Sequence, residues 1–118
     1  MGLKYVHSYG VVHRDMKLEN IMMTTNRENA VPKIIDFGLA KMIGPNEKTK
    51  EPFGTLGYVA PEILLNKPYS FSCDLWSYGC IVYALLCGAL PFDYNSKDKT
   101  IHETIHGELD FELPGWKQ

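Results

Sequence analysis

The 118-residue chain has no apolar run approaching the length of a membrane-spanning helix, so its sequence predicts no transmembrane segment. Charge of one sign is also scarce. A formal net charge of −2 argues against nucleic acid or an anionic membrane surface as partner. Met1 to Val6 lacks the apolar core of a signal peptide, and Val6 stands where a myristoylation motif beginning at Gly2 needs Ser or Thr. These absences make the chain read as intracellular, with a cytoplasmic location expected. No C-x-x-C pair suggests zinc. Cys73, Cys80 and Cys87 lie seven residues apart, along one stripe of a helix and too distant to bond with each other. They read as reduced core thiols.

The composition, 45% apolar in 118 residues, fits one globular domain with one core. Its organising stretch is His13-Arg14-Asp15-Met16-Lys17-Leu18-Glu19-Asn20. From Asp15 to Asn20 it sets a carboxylate, an ammonium, a second carboxylate and a carboxamide within six residues. A tight loop before the short apolar strand Ile21-Met22-Met23 would turn these groups towards one cleft. The set suits phosphoryl transfer: Asp15 to orient a hydroxyl, Lys17 to meet phosphate charge, the Asn20 amide oxygen for magnesium. A charged surface turn is the competing reading of the same residues.

Residues 1–10 read as the end of an amphipathic helix, with Leu3, Val6 and His7 on one side and a glycine cap at Gly10. Residues 21–35 read as a hairpin around the polar cluster Thr24 to Asn29, its second strand running Pro32-Lys33-Ile34-Ile35. Asp36-Phe37-Gly38 ends it, either as a metal-binding carboxylate beside flexible backbone or as a plain turn. Residues 39–59 lack apolar periodicity and read as a loop. Ser70 to Asp74 offers helix caps before Leu75 to Leu86, which is apolar nearly all round and is expected as a buried core helix ended by Gly88 and Pro91. Lys97 to His106 reads as a surface helix. Phe111 to Trp116 reads as an extended aromatic stretch, with Trp116 exposed. The abrupt first helix and that exposed tryptophan suggest a piece cut from a longer protein.

His102-Glu103-Thr104-Ile105-His106 matches H-E-x-x-H, two imidazoles on one helical face as in zinc proteases. Gly107 follows at once and would end the helix. Glu108 and Glu112 are the available third ligands, very close in sequence. The two histidines are expected to face solvent.

Four motifs, His13–Asn20, Asp36–Gly38, Gly54–Glu62 and Asp74–Gly79, together resemble the protein kinase family in identity, order and spacing: H-R-D-x-K-x-x-N, D-F-G, G-T-x-x-Y-x-A-P-E and D-x-W-S-x-G. Lys17 and Thr55 resemble those of serine/threonine kinases. The wording of Gly54–Ile63 and Leu90–Phe92 leans towards the calcium/calmodulin-dependent group. The resemblance implies an α+β fold: the mainly helical large lobe with short β-hairpins, the small lobe absent, residues 1–118 forming a partial kinase domain. It implies ATP and Mg2+ as cofactors and a protein substrate with a Ser or Thr acceptor.

By position, the resemblance makes Asp15 the acceptor of the hydroxyl proton, with Thr55 and Lys17 beside it and Lys17 stabilising the transferring group. Asn20 and Asp36 would hold magnesium. Met22 would lie under the adenine, and Glu19, near the nucleotide and peptide, would favour basic flanking residues. His13 and Asp74 would brace the loop, Asp74 by accepting from loop backbone, with Phe37 packed beneath and Gly38 completing the D-F-G turn. Glu51 stands where many kinases carry a phosphorylated residue, so it is expected to pair permanently with Arg14. Glu62 would pair in the family with an arginine beyond residue 118. The chain contains no G-x-G-x-x-G-x-V loop and no strand lysine in V-A-I-K context, so little activity is expected of it alone. A non-catalytic lobe acting as a protein-binding module is the alternative.

Overall fold

The computed structural model describes residues 2–117, an α+β arrangement of four helices and two small antiparallel sheets. Helix α1, Gly2–Ser8, ends where Gly10 takes a left-handed φ of 73°. Strand β1, Val11–Val12, leads into the His13–Asn20 loop. Strands β2, Ile21–Met23, and β3, Pro32–Ile34, form the expected hairpin, with Ile21 opposite Ile34 and Met23 opposite Pro32.

Residues 39–59 are not loop throughout. Lys41–Met42 forms strand β4 and pairs antiparallel with β1, Val12 facing Lys41. Farther on, Thr49 and Tyr69 exchange backbone hydrogen bonds as an isolated bridge. Two-residue ladders carry no periodicity, so they were invisible to patterning. The segment is thus pinned at one point to β1, just before the loop, and at another to Tyr69, just before α3.

Helix α2, Pro61–Leu64, is a single turn opened by proline. Helix α3, Ser72–Cys87, is the longest element and ends at Gly88, φ 78°. No side chain caps its start, contrary to the offer of Ser70 to Asp74. Its burial is also one-sided. Cys73, Asp74, Ser77, Cys80, Ile81, Tyr83 and Ala84 are buried, whereas Leu75, Leu85 and Leu86 are 54%, 70% and 46% exposed. An all-round apolar sequence therefore does not make an all-round buried helix in this chain. Helix α4, Lys97–His106, starts with Ser96 Oγ accepting from the Lys99 N–H. None of these helices is long and apolar enough to cross a membrane.

The core comprises two adjoining clusters. One gathers Val12, Ile43, Val59, Ala60, Ile63, Tyr69 and Cys73; the other gathers Leu3, Met16, Tyr58, Cys80 and Ile81. Trp76 packs against both, so α3 is the spine of the molecule. The C-terminal stretch corrects the expectation of an extended, exposed end. Pro114–Trp116 is a 3-10 turn, and Trp116 is half-buried against Tyr83 and Phe111, ring centroids 5.6 and 5.0 Å away. Gly115 permits this approach, because a Cβ there would lie 2.0 Å from the Leu86 carbonyl oxygen.

Candidate active site

Asp74 anchors the loop from below. It is 1% exposed, and its oxygens accept the backbone N–H groups of His13, at 2.8 Å, and Arg14, at 2.9 Å. A third donor, His7 Nε2, lies 2.8 Å from the oxygen that serves His13. The turn so held is unusual. Arg14 has φ 70°, a left-handed conformation that a residue with a Cβ keeps only when its surroundings demand it.

His13, fully buried, ties the loop to the strand beyond it. Its Nε2 lies 2.9 Å from the Ile35 carbonyl and its Nδ1 accepts the Asp15 N–H at 3.1 Å. A carbonyl needs a donor and an N–H needs an acceptor, so these partners select the Nε2–H tautomer. Phe37 meets the His13 ring edge-on at 4.9 Å and remains 45% exposed. Met16 turns into the core, leaving Asp15 and Lys17 on the open side.

There the expected groups converge. Thr55 Oγ1 donates to Asp15 Oδ1 at 2.7 Å, and Lys17 Nζ donates to Thr55 Oγ1 at 3.1 Å. Lys17 Nζ is 3.6 Å from Asp15 Oδ2. Asn20, buried at the end of the 3-10 turn Leu18–Asn20, donates Nδ2 to the Asp15 carbonyl at 2.9 Å. Its amide hydrogens are thereby committed to Asp15, and its Oδ1 has no described protein donor. The Asn20 carbonyl accepts the Ile35 N–H at 2.9 Å, which sets Asp36 beside the loop. Asp36 takes φ 56° and accepts the Gly38 N–H at 3.1 Å, a turn geometry that leaves its side chain largely open. So the turn and the metal-site readings of Asp36-Phe37-Gly38 are compatible. The Asp36 carboxylate makes no described bond to Asp15, Lys17 or Thr55. Glu19 and Met22 are exposed, Met22 by 56%.

Arg14 reaches away from this centre. Its Nη1 donates to Glu51 Oε2 at 2.6 Å and its Nε to the Leu39 carbonyl. The guanidinium lies 4.6 Å from the Phe53 ring centroid. Lys41 Nζ takes the other Glu51 oxygen at 2.9 Å. Hydrogen bonds from Arg14, then from Lys41, hold the Glu51 carboxyl below the ordinary glutamate range. The expected Arg14–Glu51 pair is present. Lys41, Phe53 and Tyr69, whose hydroxyl donates to the Glu51 carbonyl, had not been read from the sequence. Only the alternating charges between Glu47 and Glu51 hinted at such a network.

Glu62 lies half-buried in α2 with no pairing cation among the described residues. His102 and His106 are exposed on α4, ring centroids 4.9 Å apart. No group of three or more metal-ligating side chains occurs among the described residues, so neither Glu108 nor Glu112 completes a zinc site.

Comparison with known proteins agrees with the loop. The family described as "Protein kinase domain" matches residues 1–118. Two relatives from Dictyostelium discoideum, each named a probable myosin light chain kinase, are 41% identical over 115 residues and 43% identical over 116. The alignments cover 98% of this chain in both cases, and 33% and 30% of the relatives. The chain thus spans about a third of the length of these relatives.

Proposed function

The chain belongs to the protein kinase family, and on that premise we propose that it forms the phosphotransfer centre of a serine/threonine kinase, within that fold's large lobe. The observation that carries this is the Asp15 carboxylate, set between Thr55 Oγ1 at 2.7 Å and Lys17 Nζ at 3.6 Å. Asp15 orients the acceptor hydroxyl and takes its proton; Lys17 offsets charge on the moving phosphoryl group. The threonine-linked lysine supports a Ser or Thr acceptor over Tyr.

ATP with Mg2+ is the proposed co-substrate. The donor set fits a hard cation: the Asn20 Oδ1 is left over once Nδ2 is committed to Asp15, and the open Asp36 carboxylate offers oxygen. Two such ligands suit an ion carried in with phosphates rather than one caged by protein alone. Exposed Met22 offers an apolar floor for adenine, and exposed Glu19 favours a basic protein substrate. Glu51 stands permanently where a phosphate would otherwise engage Arg14, so activation at this position needs no phosphorylation.

The wording of Gly54–Ile63 supports the calcium/calmodulin-dependent group, and the relatives' names support a protein substrate. ATP dependence and three unbridged cysteines suit a cytoplasmic site. Calorimetry of this chain with Mg·ATP tests the nucleotide site. A peptide phosphorylation assay on the full-length protein tests the reaction, where Asp15→Asn should lower kcat about 10²–10⁴-fold. Wild-type-like turnover by that variant would overturn the reading. Absence of ATP binding by folded wild-type protein would favour a non-catalytic docking module.

A further inference from the structure

His102 and His106 stand four residues apart on α4, and phosphotransfer makes no use of them. The helix is anchored by its other side. Thr100 and Thr104 are buried. Thr100 Oγ1 accepts the Tyr94 N–H at 2.9 Å, and Thr104 Oγ1 donates to the Thr100 carbonyl at 2.7 Å. At helical pitch, positions 102 and 106 fall on the face opposite those threonines. Both imidazoles are accordingly exposed, with ring centroids 4.9 Å apart. Neither ring makes a hydrogen bond to the described residues. Glu103 Oε1 lies 3.7 Å from His102 Nδ1, beyond hydrogen-bond reach. A carboxylate so placed draws the ring proton to Nδ1 and leaves the Nε2 lone pair for an incoming ligand.

We infer that His102 and His106 form a two-imidazole surface site for a borderline divalent transition ion: Zn2+, Ni2+ or Cu2+. Imidazole nitrogen suits these ions, whereas Mg2+ and Ca2+ select oxygen ligands. One helical turn is the spacing at which two imidazoles reach a single ion, the pairing that H-E-x-x-H places on one face. The pair has no third protein ligand among the described residues, so water fills the other positions and affinity rests on chelation. Once one ring has bound, the second is held beside the ion at high effective concentration, which adds about 10²-fold to the affinity of one imidazole. Cu2+ should bind more tightly than Ni2+ or Zn2+. The ion also clamps the end of α4, where the Gly107 N–H donates to the Glu103 carbonyl at 2.7 Å. Linking residues 102 and 106 opposes fraying of that last turn.

The inference stands apart from the phosphotransfer reading and needs no kinase activity for its test. Full-length wild type, His102→Gln and His106→Gln are titrated with Zn2+ by calorimetry in the presence of excess Mg2+. Both substitutions lie on an exposed face, and circular dichroism checks that each variant is folded. We expect one ion to bind about 10²-fold more weakly in either variant than in the wild type, since each loses the chelate. Electron paramagnetic resonance with one equivalent of Cu2+ should show two nitrogen ligands in the wild type and fewer in each variant. Zn2+ should slow amide hydrogen exchange from Glu103 to Gly107 in the wild type and leave it unchanged in the variants. Equal zinc binding in all three proteins would overturn the site. Loss in only one variant would also overturn it, marking a lone imidazole rather than a pair. Zinc uptake by the wild type without slowed exchange at the end of α4 would place the ion elsewhere and overturn it too.

Discussion

Thr55 Oγ1 donates to Asp15 Oδ1 at 2.7 Å across a separation of 40 residues. The same oxygen accepts from Lys17, so one hydroxyl both aims the carboxylate and spaces the ammonium from it. Thr55→Ala should therefore lower kcat about ten-fold with little change in stability, the scale of one hydrogen bond to a charged group. Thr55→Ser, which keeps the hydroxyl, should retain most of the activity. Steady-state peptide phosphorylation by the full-length protein checks both, and equal loss in the two variants would count against the hydroxyl.

The Arg14–Glu51–Lys41 cluster gives a pH signature. Its hydrogen bonds depress the Glu51 pKa in the folded state. The stability it contributes is complete above the ordinary glutamate value, about 4.3, and is lost as pH falls through the lower folded value. Glu51→Gln should melt below wild type at pH 7, with the gap closing below about pH 4.3. Because Glu51 is exposed, the gap should be modest and shrink in high salt. Thermal melts across pH and salt measure it. Phosphatase treatment of the wild type should leave its activity unchanged.

The three cysteines should differ in reactivity despite their even spacing. Burial raises the thiol pKa of Cys73, reinforced by the neighbouring Asp74 charge, and pushes that of Cys80 up to about 11. Cys87 is half-buried at the end of α3. Alkylation of native protein near pH 8, read by mass spectrometry, should modify Cys87 first and leave the other two until unfolding. Early labelling of Cys80 would contradict the packing described for α3.

Gly115→Ala should dislodge the C-terminal turn, since its Cβ would meet the Leu86 carbonyl oxygen at 2.0 Å. Overpacking of this kind costs about 1–3 kcal/mol. The Trp116 ring should leave Tyr83 and become wetter, seen as a red shift in tryptophan emission. Peptide phosphorylation should be spared, because the turn lies away from Asp15.

Much of the site was legible because its chemistry is local. Asp15, Lys17 and Asn20 sit in one short loop, and the short apolar runs on either side of the polar cluster Thr24 to Asn29 announced their hairpin. Thr55 and Glu51 were found only through ordered family motifs, since no local pattern links them to residues 40 and 37 positions earlier. Lys41 and Phe53 escaped notice for the same reason without a motif to mark them. The burial of α3 was misread because composition reports how apolar a helix is, not which neighbours cover each side. Leu75, Leu85 and Leu86 look the same in sequence as Ile81, which is 2% exposed. Trp116 was misread in the opposite sense: a glycine next to it permits a close approach that an extended reading overlooks.

Asp74 lies 61 residues beyond His13, yet the shape of the His13–Arg14 turn depends on its carboxylate. During synthesis the hairpin between Ile21 and Ile34 has all its partners as soon as its own residues leave the ribosome. The loop that precedes it must wait for α3. Closing so long a segment costs conformational entropy before any contact repays it. The geometry of Asp15 is therefore acquired late, and a nascent chain halted before Asp74 would carry every reacting side chain named here without their arrangement.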